Sequence, residues 1–445
     1  MAGGTFKLSQ PKTRPGVYVN VRNGKPPKVA SSYRGVAAIP LIGYDWGPRE
    51  EWIKLSSDSP DKEKVKLGRS IYDDNKAMLM LRLMFAGATT VYVYIADGGK
   101  KAEKKVTIGE GEMTVTAKYK GTLGNTIKIV STENPLGGFD VTLFMNGSEV
   151  ENFEGVKTVE DIIGKSEYVE ISGTGNLEAF ASATLEGGTD ESEGNASVSK
   201  FLDMSEKLRM NTMCFPVEDE SLKKSAVSKI RYIRESIGWK CQAVIPNCAA
   251  DYEGIINLTN AFTVEGKDLT IPEACAWLAG MSAGADYNSS LTYCVVEGAT
   301  RVVGEKDNEE SIEAIKKGET FFSVDEAGAV ILEYDINSKV TFTEKDPVDL
   351  MKNRPLRVYD TFANDLLITY RPGKYDGETD GYILMSGIGR ALLQRYQDAH
   401  AIKNVNLEED FIVDEEMSEG DSVYVHVGIQ PVDSADKYYF DVVSK

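Results

Sequence analysis

Leu222-Lys-Lys-Ser-Ala-Val-Ser-Lys-Ile-Arg-Tyr-Ile-Arg-Glu-Ser-Ile-Gly-Trp-Lys-Cys-Gln-Ala-Val-Ile245 changes its period once, and that change decides the class of fold. Leu222, Ala226, Val227, Ile230, Ile233 and Ile237 recur at the spacing that lays an apolar stripe along one face of an α-helix. Gly238 follows where a left-handed stop belongs. Cys241 to Ile245 is then a short strand succeeding the helix. Helices that alternate in this way with strands predict a largely parallel sheet sandwiched between helices.

The alternation extends in both directions. Upstream, Phe201, Leu202 and Leu208 lead into a strand at Thr212 to Phe215, and Val36 to Gly43 reads as a buried strand. Asp73 or Asp74 caps a helix carrying Met78, Leu81 and Phe85, with Gly87 as its stop and Thr90 to Ile95 as the next strand. Downstream, Thr270 with Pro272 opens a further helix, and Ser311 to Lys317 stops at Gly318 before Phe321 to Val324. Between Val106 and Leu185 the rhythm differs. Met113 to Tyr119, Thr126 to Val130, Phe139 to Met145 and Tyr168 to Ile171 are strand-like segments separated by Gly or Asn turns, a β-rich insertion closed by Leu185-Glu-Gly-Gly-Thr-Asp190. From about Thr341, Val358, Phe362, Leu366 and Tyr370 mark one helix, and Ile388, Leu392 and Tyr396 mark another over Thr379 to Gln397, with Arg390 and Arg395 off its stripe. The expected segments are an N-terminal arm (1–22), the first part of the α/β core (23–97), the β-rich insertion (98–188), the rest of the core (189–340), an α+β C-terminal domain (341–436) and a C-terminal arm (437–445).

The two ends share a pattern. Asp421 to Gln430 alternates strictly, with Val423, Val425, Val427 and Ile429 on one face. After a turn rich in Pro, Asp and Ser, Tyr438, Tyr439, Phe440, Asp441 and Val442 alternate again, so the chain is expected to end in a strand. Near the other end, Pro15-Gly16 releases Val17, Tyr18, Val19, Asn20 and Val21 in the same period. A terminal strand whose edge nothing covers either pairs within its own molecule or adds to a neighbour's sheet. The pattern alone leaves both open.

Composition narrows the function. With 445 residues the chain suggests about three domains, and 42% apolar with 27% charged residues is globular usage. A formal charge of −19 without a basic block argues against nucleic-acid binding. No run approaches the roughly 18 apolar residues of a membrane span, and the amino end has no hydrophobic signal region, so residence in a cytoplasm is expected. Five cysteines without Cys-x-x-Cys spacing point to buried, reduced thiols rather than disulfides or zinc.

Catalytic constellations fail one by one. The only histidines are His400 and His426, both in the last domain, which excludes a Ser-His-Asp or Cys-His arrangement within the α/β core. Gly164-Lys165-Ser166 lacks the leading glycine of a phosphate loop, Val159 standing in its place. Gly173-Thr-Gly175 lacks its third glycine, since Glu178 occupies that position. No catalytic, cofactor or metal residue is assigned. A hydrolase on an α/β scaffold and a surface-binding module built on the insertion remain as alternatives, the first lacking a usable base and the second an export signal.

Specific strings then occur in order: Pro15-Gly-Val-Tyr-Val, Gly43 with Gly47-Pro48, Gly121-Thr-Leu-Gly-Asn-Thr-Ile127, Leu185-Glu-Gly-Gly-Thr-Asp190, Ser290-Leu-Thr292, Gly318, Glu333-Tyr-Asp-Ile-Asn337 and Ile429-Gln-Pro-Val-Asp433. Together they resemble the contractile tail sheath proteins of myophages and phage-tail-like bacteriocins, over essentially the whole chain. The resemblance implies a central domain of subtilisin-like fold without catalytic residues, an outward β-sandwich insertion and an inner α+β domain facing a tail tube. It further implies a helical homopolymer that contracts, with tube, baseplate and tail terminator proteins as partners, no direct membrane insertion, and assembly in the bacterial host cytoplasm into a phage or bacteriocin particle. Its arms, Val17 to Arg22 and Tyr438 to Val443, would join a neighbour's C-terminal sheet, whose acceptor strand carries Val423, Val425, Val427 and Ile429. Arg390 and Arg395 are the candidate tube contacts.

Overall fold

The computed structural model describes residues 3–4, 17–18, 34–109, 111–192, 194–344, 346–347 and 350–444. The chain divides into two compact units, residues 1–31 with 368–430, and residues 32–367 with 431–445.

The larger unit is built on a seven-stranded sheet. Its elements in chain order are β1 (Val36–Leu41), β2 (Trp52–Ser56), helix α1 (Lys76–Met84), β3 (Thr90–Ile95), β4 (Thr212–Cys214), α2 (Glu220–Tyr232), β5 (Gln242–Pro246), β6 (Ile255–Leu258), α3 (Ile271–Gly284) and β7 (Glu319–Thr320). The spatial order is β7-β6-β5-β4-β1-β3-β2, parallel throughout except for β2, which runs antiparallel to β3 at the edge. β4, β5 and β6 are buried at every position, so both faces of these strands are covered rather than one facing solvent, and their few polar side chains, Thr212, Gln242 and Asn257, are buried with the rest.

Helices α1 and α3 cross at very short range. A Cβ on Gly280 would stand 2.0 Å from the carbonyl oxygen of Met84, and one on Gly87 2.6 Å from that of Gly280. Gly87 is therefore required by this approach and not as a left-handed stop, and the α1 cap is Asn75, which accepts from the amides of Ala77 and Met78, rather than Asp73 or Asp74.

The stretch that announced the fold is helix followed by strand, with one departure. α2 begins at an Asp219 cap, but its last turn, Ile233–Ile237, widens into a π-helix before Gly238 takes φ +88°. Arg234 lies in this widened turn and is buried. Its guanidinium donates to both Asp360 oxygens at 2.6 and 2.9 Å and to the Cys241 carbonyl at 2.9 Å. A π turn often marks such a special placement of a side chain.

Between β3 and β4 the chain leaves and returns through a short antiparallel pair, Gly98–Lys100 with Thr189–Ser192. The insertion contains one sheet of four strands and one of three. Met113, Val115, Ile129, Val141, Leu143 and Ile171 from the two sheets join one apolar cluster.

After β7, helix α4 (Asn353–Thr369) lies in the larger unit as far as Leu367. Val358 and Phe362 are buried as their spacing predicts, yet so are Asn353, Arg357, Asp360, Thr361, Asn364 and Asp365. These polar groups are paired across the sequence: Asn353 with Gln242 and Asp335, Arg357 with Asp335, and Asn364 with both backbone groups of Lys240.

The smaller unit contains α5 (Thr379–Asp398), β8 (Phe411–Glu419) and β9 (Ser422–Val427). Ile388, Leu392 and Tyr396 are buried along the α5 stripe. A Cβ on Gly389 would come 2.3 Å from the Phe411 ring, so only glycine lets α5 pack so closely on β8. Phe411 in turn stacks on Tyr370, whose hydroxyl donates to the Met385 carbonyl at 2.8 Å. Val17–Tyr18 pairs in parallel with Gly3–Gly4; Val19, Asn20 and Val21 lie outside the described residues.

The expectation that the chain ends in a strand is not met within one chain. Among the described residues, no ladder includes 432–444, and Pro431 makes only an isolated bridge. A strand needs a partner's backbone groups, and alternation in sequence does not supply one.

Candidate functional site

The final stretch is fastened at its root and bare beyond it. Lys352, just before α4, places its ammonium 2.5 Å from Asp433 and 2.6 Å from Asp436, and 5.7 Å from the centre of the Tyr334 ring. Burial by itself would lower the Lys352 pKa, but the two carboxylates outweigh it and hold the group above the ordinary lysine value. Lys437 and the residues after it then project outward: Tyr438 is 71% exposed, Tyr439 89%, Phe440 84% and Val442 89%. Tyr438 and Phe440 stack with rings 6.5 Å apart, as expected of residues two apart on one face of an extended backbone. Fully burying a large apolar side chain stabilises by about 1.5–3 kcal/mol. Four such groups left in water, with their backbone unpaired, form a surface built to be covered.

The hairpin of β8 and β9 presents the complementary feature. Phe411 pairs with Val427, Ile412 with His426, Val413 with Val425 and Asp414 with Tyr424. Val423 and Val425 pack on the cluster of Tyr382, Met385 and Val413, while the alternate residues Tyr424 and His426 face outward. Among the described residues these two strands are a sheet of their own, with an outer edge on each side. An isolated two-stranded hairpin is at best marginally stable, and further strands are what make such a sheet secure. Ile429, expected within the acceptor strand, lies two residues beyond the end of β9 and is half-buried.

Opposite β8, His426 Nε2 lies 3.2 Å from Asp414 Oδ2. The Met417 amide and then His426 hold the Asp414 carboxyl below its usual range. Arg390 and Arg395 are both half-buried on α5, with the Arg395 guanidinium 5.3 Å from the Tyr396 ring centre. Residues five apart on a helix point about 140° away from each other, so a flat partner would meet one of them squarely and not both.

A cleft of about 640 Å³ lies where an enzyme of this architecture would hold its ligand, at the carboxyl ends of β1 and β4. Two of its ionisable groups, Glu273 and Lys76, are engaged with each other. Glu273 accepts from the Thr270 amide and hydroxyl at 2.7 and 2.6 Å and lies 3.0 Å from Lys76. Burial would raise the Glu273 carboxyl, but these bonds outweigh it and keep it below the ordinary glutamate value. It therefore serves as a charged helix cap rather than a proton carrier. Burial also pushes the Cys241 thiol up to about 12 and raises those of Cys214 and Cys275, which leaves them protonated and inert. All five cysteines are free. Among the described residues no group of His, Cys, Asp and Glu could hold a metal ion, and no helix is long and apolar enough to cross a membrane.

Periodicity points to β9 and the aromatic stretch but not to the Lys352 clasp. The acidic run Glu408–Glu416, which reads as a solvated loop by its charge, instead supplies β8 (Phe411–Glu419), because pairing with β9 and the burial of Phe411 and Val413 outweigh its low strand propensity. Asp433 and Asp436 read as turn residues, and no local pattern connects them to a lysine more than eighty positions earlier.

Comparison with known proteins covers the same regions. Residues 97–190 match a family model described as the phage tail sheath protein beta-sandwich domain, 191–338 the phage tail sheath protein central domain, and 345–445 the phage tail sheath C-terminal domain. The chain is 35% identical to the phage-like element PBSX protein XkdK of Bacillus subtilis over 475 aligned positions, which cover 99% of each. It is similar to the crystal structure of a sheath tail protein from Desulfitobacterium hafniense, with a TM-score of 0.83 at 32% identity over 96% of this chain and 99% of that one. The helical sheath of the anti-feeding prophage in its contracted state shares the fold, with a TM-score of 0.56 at 12% identity over 98% of this chain and 100% of that one.

Proposed function

The chain belongs to the family of phage tail sheath proteins, the sheaths of contractile injection systems, and on that premise we propose that it polymerises helically around a tail tube. The polymer assembles in an extended, metastable form and shortens to drive the tube through a bacterial envelope. Neighbouring subunits are linked by exchanged terminal strands. The single observation that carries this reading is the exposed, unladdered stretch from Tyr438 to Val443 in a protein whose β8–β9 hairpin keeps two open edges.

Strand exchange suits a polymer that must rearrange without falling apart. Each main-chain hydrogen bond contributes only about 0.5–1.5 kcal/mol net, but a run of them ties two subunits through an extended segment that tolerates rotation. The side-chain surfaces around the link can then repack between two discrete arrangements, the difference between which is the stored energy. No nucleotide or cofactor enters this cycle.

The partners in this reading are further copies of the chain, a tail tube protein, and baseplate and tail terminator proteins. Nucleic acid is not among them, the net charge of −19 being repulsive towards phosphate. Assembly takes place in the host cytoplasm before the particle is released. The mostly parallel sheet supports a subtilisin-like central fold, with segments 1–22, 23–97, 98–188, 189–340, 341–436 and 437–445 as arm, core, outer insertion, core, inner domain and arm. On the inner domain, Arg390 and Arg395 are the proposed tube contacts.

Negative-stain microscopy of the purified protein over a range of concentrations and salts tests the reading. Rings or tubes are expected for the full chain and only monomers after deletion of residues 438–445. Monodisperse monomers of the full chain under every condition would count against a sheath, and polymerisation of the truncated chain at the normal rate would refute the C-terminal link.

A further inference from the structure

The two arms differ in charge, and the hairpin region carries the opposite sign to the N-terminal one. Residues 1–33 contain six cations, Lys7, Lys12, Arg14, Arg22, Lys25 and Lys28, and not one Asp or Glu. Residues 404–430, which include the hairpin, contain eight carboxylates between Glu408 and Asp421 and neither Lys nor Arg. Among the described residues no lysine or arginine lies within ion-pair distance of any of the eight; only His426 approaches one, Asp414. Glu408, Glu409, Glu415, Glu416 and Glu419 are exposed. The aromatic stretch at the other end, residues 438–444, carries only Asp441.

We propose that the open edge of the β8–β9 hairpin is occupied by the basic N-terminal segment of a second copy, selected by charge, so that this link is salt-labile while the C-terminal link is held by apolar burial. The proposal rests on the strand-exchange reading above and adds what decides which segment docks where.

The physics is direct. Eight like charges, five on a small hairpin and three just before it, repel one another, and a segment bearing six opposite charges relieves that repulsion as it supplies backbone partners to the edge. Exposed charges interact within a Debye length, about 10 Å at 0.1 M salt and about 3 Å at 1 M. Oppositely charged surfaces raise association rates by about 10- to 1000-fold, and salt removes the gain. Burial of Tyr438 and Phe440 has no comparable dependence on ionic strength. Like charge also keeps the wrong pairings apart, hairpin against hairpin and segment against segment.

The test uses two full-length variants and light scattering of assembly. The first reverses the segment (K7E, K12E, R14E, R22E, K25E and K28E); the second reverses exposed hairpin positions (E408K, E409K, E415K, E416K and E419K). Each alone places like charge on both surfaces and is expected to assemble at least about tenfold more slowly than the unaltered chain at low salt. Mixed in equal amounts they present matched surfaces only between different copies, and assembly recovers to within about threefold. The unaltered chain slows about tenfold between 0.05 and 0.5 M NaCl, whereas a chain with all six cations changed to Gln loses that dependence. A mixture no faster than its components means the segment docks on its own hairpin or elsewhere and overturns the proposal, as does an unchanged salt response in the Gln variant. If the unaltered chain never polymerises, the strand-exchange reading fails instead.

Discussion

Replacing Lys352 with Met should release the C-terminal stretch without unfolding the protein. Lys352 makes two charge-assisted hydrogen bonds, at 2.5 Å to Asp433 and 2.6 Å to Asp436. Such bonds are worth about 1.5–3 kcal/mol each when well buried, but the Asp433 side chain is 32% exposed and the Asp436 side chain 10%. Solvent screening reduces the first towards the value of a surface pair, about 0.2–1 kcal/mol. The sum is about 2–4 kcal/mol, which raises the equilibrium constant for detachment by about 30- to 900-fold. Trypsin reports this opening. Cleavage after Lys437 needs several residues on both sides in an extended, accessible form, and Asp433 and Asp436 are held by the clasp. Release of the peptide Tyr438–Lys445, followed by mass spectrometry, tracks the open population when reclosing is faster than cleavage. K352M is expected to speed release by at least thirtyfold, and K352R, which keeps a donor for both carboxylates, by only a few-fold. A change below threefold for K352M would show that the clasp does not hold the root, and the energetic argument would be refuted.

Two further perturbations probe the core elements that position these surfaces. Changing Gly389 to Ala puts a methyl group 2.3 Å from the buried Phe411 ring, and overpacking of this kind costs about 1–3 kcal/mol; thermal unfolding should shift to lower temperature, and the double variant G389A/F411L should recover part of the loss. The Glu273 carboxyl is depressed in the folded state, so its contribution is present above its unfolded pKa and is lost as pH falls through the lower folded value. The melting-temperature gap between the unaltered chain and E273Q should therefore be widest near neutrality and should close below about pH 4; a gap independent of pH would exclude the capping role.

Local period made much of the architecture readable. Thr90 to Ile95 is a strand over the same six residues that the alternation marks, and the Ile388, Leu392 and Tyr396 stripe is the buried face of α5. These readings succeed because the information lies within four residues of each position. The positions of the two histidines, both beyond the α/β core in sequence, are likewise a property of the sequence alone. The candidate site was half legible. Alternation marked Val423, Val425 and Val427 and the aromatic stretch, while the clasp of Lys352 on Asp433 and Asp436 left no local trace.

The sequence by itself determined most of the helices and strands of the core, though not the edge strand β2 or β8, together with the β-rich insertion, the family resemblance and the opposite charges of the N-terminal segment and the hairpin region. Only the tertiary structure decided that Arg234 enters the core through a π turn to meet Asp360, that the polar face of α4 is buried, that Asn75 rather than Asp73 or Asp74 caps α1, and that Tyr438 to Val442 joins no ladder among the described residues. The division has one physical cause. Periodicity records which side of an element is apolar, but which polar group finds which partner, near in the chain as for Asn75 or far as for Arg234 and Lys352, is chosen by packing, and an unpaired strand differs from a paired one only in what lies beside it.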